Sequence, residues 1–212
     1  MIKRNLTKPV ELNLARWKKI GDKYCDNGDY KIDDGNRFAI TNCIKWLQGE
    51  PFEQNVIGVG GTKKGNPNKG LFIVGNTGRG KTLLTKILRD YAMEIGVSFE
   101  IDGKSVKANW IPTNATVFTD KFMNGQDISE DKNRAILNIE DLGIEPISSQ
   151  YMGNKCEVLK NIIEYRGDTD NITIITSNYR PDMLANKYGQ RVVSRAKALN
   201  YIIIDGKDRR ES

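Results

Sequence analysis

The run Gly75-Asn76-Thr77-Gly78-Arg79-Gly80-Lys81-Thr82 matches G-x-x-x-x-G-K-[ST] at every fixed position. Residues of these types at this spacing can hold the phosphates of a nucleoside triphosphate. The glycines let backbone N–H groups turn inward around the β- and γ-phosphates. The N-terminus of the following helix adds the positive end of its dipole. Lys81 brings a point charge to the phosphates, and the Thr82 hydroxyl can ligate Mg²⁺. The expected nucleotide contacts are therefore Gly75, Asn76, Thr77, Gly78, Arg79, Gly80, Lys81, Thr82 and the adjacent Leu83.

Hydrolysis needs more: Mg²⁺, a water in line with the γ-phosphate, and charge stabilisation. Ala135–Glu140 is a mostly apolar segment that ends in the adjacent acids Glu140 and Asp141, followed by Leu142-Gly143. Open α/β sheets build their sites at the C-terminal ends of strands. Glu140 is expected in the Mg²⁺ shell through water, and Asp141 is expected to polarise the attacking water; the competing reading is a solvated acidic turn. Ile172–Thr176 is a β-branched segment that ends in Ser177-Asn178. If it lies beside the strand that precedes the glycine-rich loop, Asn178 faces the γ-phosphate; otherwise it only opens a turn before Arg180-Pro181. Arg191 and Arg195 are four apart and share a helix face. They form either a solvated basic face or an arginine finger for a neighbouring subunit's nucleotide.

These groups need a scaffold. Leu71–Val74 reads as a buried strand and Thr82–Ile95 as a helix, so the glycine-rich loop has strand before it and helix after it. From Gly70 onward strands and helices alternate, which predicts a parallel sheet with helices on its faces. The core strands are expected at Leu71–Val74, Ala115–Thr119, Ala135–Glu140, Ile172–Thr176 and Tyr201–Asp205. Earlier in the chain, Val10–Ile20 and Asn36–Gln48 read as amphipathic helices, with a turn at Asn27-Gly28-Asp29. Gly58–Gly70 reads as a mobile loop. Asp102-Gly103 between extended segments predicts an inserted hairpin. Asn138 is an unusual residue for a central buried strand.

Composition narrows the chemistry further. The 212 residues contain no histidine, which excludes imidazole acid–base chemistry and His metal ligands and leaves proton handling to carboxylates. Cys25, Cys43 and Cys156 are widely spaced and form no CxxC pair, so neither a zinc site nor a disulfide framework is expected. The formal net charge of +6 is scattered and favours a phosphate-rich partner. No apolar run reaches membrane-span length and no signal peptide is visible, so a cytoplasmic setting with reduced thiols and no membrane partner is expected.

Together, the P-loop, Glu140-Asp141-Leu142-Gly143, Thr176-Ser177-Asn178 and Tyr188-Gly189-Gln190-Arg191-Val192-Val193-Ser194-Arg195 resemble the AAA+ ATPases of the DnaC type. These are helicase loaders, and the IstB-like transposition ATPases share most of the pattern. The resemblance covers about 70–210. It implies an α/β P-loop NTPase of the AAA+ (ASCE) class, with a five-stranded parallel sheet in the order 5-1-4-3-2. It also implies a ring or spiral homo-oligomer with Mg²⁺-ATP between subunits, Asn178 as first sensor, Arg195 as finger and Arg191 as its neighbour. Residues 1–35 would be an N-terminal extension and 36–212 the ATPase domain, without a clear lid; Arg209 and Arg210 are weak candidates for a second sensor. The acids stand as Glu140 then Asp141, where the family has Asp followed by Asp or Glu, and this inversion points to slow turnover. The functions implied are loading of a replicative helicase onto single-stranded DNA or IstB-like regulation of transposition. A P-loop small-molecule kinase and a nucleotide-gated binding protein with little turnover are further readings of the same residues.

Overall fold

A computed structural model describes residues 2–6, 12–206 and 208. The elements in chain order are β1 (Lys3–Leu6), α1 (Leu14–Asp22), α2 (Asp34–Gln48), β2 (Glu53–Asn55), β3 (Thr62–Lys64), β4 (Leu71–Val74), α3 (Lys81–Ile95), β5 (Val97–Ile101) and β6 (Lys104–Lys107). They continue with β7 (Pro112–Asn114), α4 (Ala115–Met123), α5 (Ser129–Asn133), β8 (Ile136–Glu140), β9 (Ser149–Tyr151), β10 (Asn154–Cys156) and α6 (Val158–Gly167). The last are β11 (Ile172–Ser177), a 3₁₀ turn (Pro181–Leu184), α7 (Ala185–Lys197) and β12 (Asn200–Ile203).

Five parallel strands form the central sheet in the order β12-β4-β11-β8-β7. Because side chains alternate along a strand, each strand feeds two cores. Leu71 and Ile73 of β4 join α1, α2 and α3 on one face through Trp17, Ile40, Ile44 and Leu88. Phe72 and Val74 join α4, α6 and α7 on the other through Phe118, Ile162 and Val192. Burial on both faces is why β4 is wholly apolar and why β8 and β11 are mostly so, with Asn138, Thr173 and Thr176 buried among their aliphatic residues.

One core strand differs from the expected register. Ala115–Thr119 is the start of helix α4, and the second core strand is Pro112–Asn114. The Asn114 side chain accepts from Thr116 N (3.0 Å), which caps the helix and outweighs the β-branched Thr116-Val117 pair. Ala115 and Phe118 then fall on one buried helix face. Gly58–Gly70 is also not a structureless loop: Thr62–Lys64 within it pairs antiparallel with Glu53–Asn55. All three residues of β3 are exposed, so no apolar alternation marks it.

The first helix begins at Leu14, where Asn13 accepts from Arg16 N (2.8 Å); Val10 of the expected span lies outside the described residues, as do Arg209 and Arg210. The hairpin at Asp102-Gly103 is present, with both turn residues at positive φ, and β1 extends it to three strands. Asn138 is fully buried; its amide donates to Ile174 O (3.3 Å), while Oδ1 has no partner among the described residues.

The sheet's outer edge is finished by side chains. The N–H groups of Tyr201 and Ile203 point away from β4, and they donate to Gln54 Oε1 (3.0 Å) and Asn55 Oδ1 (2.8 Å) of β2. Asn200 ties the approach to β4, donating from Nδ2 to the carbonyls of Asn66, Lys69 and Gly70.

Candidate nucleotide site

β4 delivers the glycine-rich loop to the C-terminal end of the sheet, between β11 and β12. Gly78 (φ 79°) and Gly80 (φ 85°) occupy the left-handed region, where side chains are strained. The Asp208 carboxylate also packs against Gly78, leaving no room for a Cβ. Gly80 opens α3 without a side-chain cap, so its first N–H groups face the loop's concavity.

Lys81, only 6% exposed, donates from Nζ to Gly75 O (2.8 Å), Asn76 O (3.2 Å) and Asn178 Oδ1 (2.6 Å). This last bond places Asn178 beside the P-loop, because β11 lies next to β4 with Ser177 opposite Val74. Thr77, Gly78, Gly80, Lys81, Thr82, Leu83, Asp141 and Asn178 all line one cleft of 460 Å³, joined by Tyr24, Lys86 and Ile144. Arg79 turns aside towards Asp205, 3.9 Å away.

The two acids occupy different environments. Glu140 is 4% exposed, and Thr85 Oγ1 bridges its Oε1 (2.5 Å) and the carbonyl of Thr82 (2.9 Å). Burial raises the Glu140 pKa, against hydrogen bonds from Thr82 and Thr85 that lower it. Glu140 and Thr82 are thus within reach of each other and present hard oxygen donors. That donor set fits Mg²⁺, which takes one or two protein oxygens and completes its shell with phosphate and water. Asp141 is at φ 55°, with its N–H on Thr176 Oγ1 (3.0 Å) and its Oδ2 accepting from Asn114 Nδ2 (3.3 Å).

The Glu140 shift has a checkable consequence. A carboxyl whose pKa is raised by folding contributes stability that is whole below its ordinary value of 4.5 and lost as pH rises through the raised value. Urea denaturation in EDTA should show that loss, and Glu140→Gln should flatten that part of the stability–pH curve.

Arg191 and Arg195 are away from the cleft. Arg195 crosses Gly167 and pairs with Asp168 at the end of α6; the Arg191 side chain is 74% exposed, 3.9 Å from Glu164. Sequence reasoning missed Thr85, Asn114, Tyr24, Glu145 and Tyr188. Thr85 carried a signal, being one turn after Thr82 on the same helix face. Asn114 was obscured by the misplaced second strand.

Neither protein-family models nor curated proteins provide a match to this chain. Solved structures do. The DnaI structure is 22% identical, over 85% of this chain and 88% of that one, with a TM-score of 0.56. The DnaC helicase loader is 21% identical, over 90% and 99%, with a TM-score of 0.55. AMPPCP-bound DnaA from Aquifex aeolicus is 20% identical, over 94% of this chain and 53% of that one, also at 0.55. At these identities the likeness is one of fold: the chain shares the fold of the DnaI and DnaC helicase loader structures.

Proposed function

We propose that this chain, with the fold of the DnaC-like AAA+ structures, is an ATPase of DNA replication. On this reading it binds Mg²⁺-ATP, assembles as a homo-oligomer in the cytoplasm, and loads a replicative helicase onto single-stranded DNA. The observation that carries the reading is the convergence of Lys81, Thr82, Asp141 and Asn178 on one cleft, while Arg191 and Arg195 lie elsewhere. Such a site is half of a catalytic centre, completed by the next subunit.

Each group's task follows from its position. Lys81 exchanges its bond to Asn178 for one to the triphosphate, freeing the Asn178 amide to orient water. Thr82 and Glu140 hold the metal, which neutralises phosphate charge when bound. Asp141 accepts the water's proton, and the neighbour's Arg195, released from Asp168, steadies the transferring phosphoryl group. Slow basal turnover is favoured by two contacts: Asn114 occupies Asp141, and Thr85 occupies Glu140. The same contacts favour, as a second reading, a nucleotide-gated binding protein.

ATP turnover measured against protein concentration tests the proposal. Arg195→Ala and Asp141→Ala should each lower turnover by about 100-fold or more. Mixed in equal amounts, they should recover activity, since about one interface in four then holds both intact groups. Turnover linear in protein with no recovery would favour a monomeric P-loop kinase instead. Stimulation by single-stranded DNA supports helicase loading; stimulation only by duplex DNA supports the transposition role.

A further inference from the structure

The loop that carries Asp141 is tied to the helix that carries the arginines by a buried polar cluster. Glu145 is 2% exposed, and its carboxylate lies between two elements far apart in sequence. Glu145 Oε2 accepts from Gly143 N (3.0 Å), and Oε1 accepts from the Tyr188 hydroxyl. Lys187 Nζ donates to Gly143 O (2.6 Å) and Glu145 O, and it lies 3.6 Å from Glu145 Oε1. A buried carboxylate is tolerated only when paired and hydrogen-bonded, and here both conditions are met.

The backbone in this loop needs such support. Asp141 (φ 55°) and Gly143 (φ 112°) lie at positive φ, and strained conformations persist where surrounding contacts over-determine them. On the sheet side, Leu142 N donates to Thr176 O (2.9 Å), and Ser177 Oγ donates to Leu142 O (2.6 Å). The opposite side is held by Glu145, Lys187 and Tyr188. These last two residues immediately precede Gly189, where α7 breaks (φ 81°, ψ 172°) before continuing to Arg191 and Arg195.

We infer that Glu145, Tyr188 and Lys187 are positioning residues for ATP hydrolysis: a clamp that holds Asp141 in its cleft-lining conformation and anchors the arginine-bearing half of α7 to the same loop. This rests on the ATPase reading above. One clamp would then set both the proton-accepting group of a subunit's own site and the reach of its arginines into the neighbouring site.

Tyr188→Phe tests it, because it removes one hydroxyl and keeps the packing; Glu145→Gln is the companion, keeping shape while removing charge. Turnover should fall roughly ten- to a hundred-fold, with affinity for a fluorescent ATP analogue within about twofold of wild type. In an Asp141→Asn background, Tyr188→Phe should lower residual turnover no further. Amide exchange at Leu142, Gly143 and Ile144 in nucleotide-free protein should accelerate about tenfold. Unchanged exchange and turnover, ATP affinity lost in step with turnover, or an equal drop in the Asp141→Asn background would overturn the clamp. Wild-type protein that hydrolyses no ATP would sink the ATPase reading, and the exchange measurement would still decide whether the clamp holds the loop.

Discussion

Lys81→Ala is expected to weaken Mg²⁺-ATP binding by about 100-fold or more, roughly 2.7 kcal/mol, while leaving the fold in place. The ammonium is buried and its bonds are short, so it is already set at the centre of the loop. Two of those bonds, to the carbonyls of Gly75 and Asn76, hold the loop's shape; the third, to Asn178, is the one a phosphate oxygen would replace. Alanine removes both the charge and the internal brace. Arginine should restore little, because its planar fork does not match three oxygens around a point charge. Titration with a fluorescent ATP analogue reads the affinity. A parallel thermal melt should stay within about 1 kcal/mol of wild type, since the freed carbonyls border a cleft open to water. Unchanged affinity would remove the phosphate-binding role from this loop.

Arg166→Ala should destabilise the protein by about 4 kcal/mol, and no other single substitution discussed should affect folding as much. Arg166 is 3% exposed, and its guanidinium has no carboxylate partner among the described residues. It donates instead to the carbonyls of Lys132 (2.8 Å), Arg134 (2.7 Å) and Ile172 (2.6 Å) and to Thr173 Oγ1 (2.9 Å). Burial pulls its pKa down to about 10, a cost that these charge-assisted bonds offset. Removing the side chain leaves several oxygens unpaired where α5, α6, β8 and β11 meet. Urea denaturation should move the midpoint down by about 2 M. Lysine should recover only part of the loss, having three donors on a narrower head. A shift under about 0.5 M would mean that water replaces the guanidinium.

The legible parts of this molecule are those whose meaning is local. The glycine-rich loop was readable because backbone geometry demands glycine at fixed positions. The buried strands are readable because burial on both faces leaves them rich in aliphatic and β-branched residues, even where a polar residue such as Asn138 interrupts the run. Helix α4 was misread because its cap, Asn114, looks like any polar residue, while Thr116-Val117 looks like a strand. Strand β3 was invisible because its partner is β2 and its side chains face water. The association of Glu145 with Tyr188 lies beyond sequence reasoning of this kind: 43 positions separate them, and only the return of the chain after β11 brings them together. The spacing of Arg191 and Arg195 makes them legible as a pair, but their distance from the cleft follows from the packing of α7 against α6, which the spacing does not encode.

The two amides that cap β12 have a consequence for association. A parallel sheet with a free edge strand can add a strand from another molecule, and unfolding intermediates aggregate by this route. Here Gln54 and Asn55 occupy the outward N–H groups of Tyr201 and Ile203, so that side offers an incoming strand no free donors at these positions. At the opposite edge, β7 is three residues long and begins with proline, which cannot donate. Copies of this chain that meet in solution are therefore steered away from joining their central sheets edge to edge. The homo-oligomer proposed above would then be built from loops and helix ends rather than from this sheet.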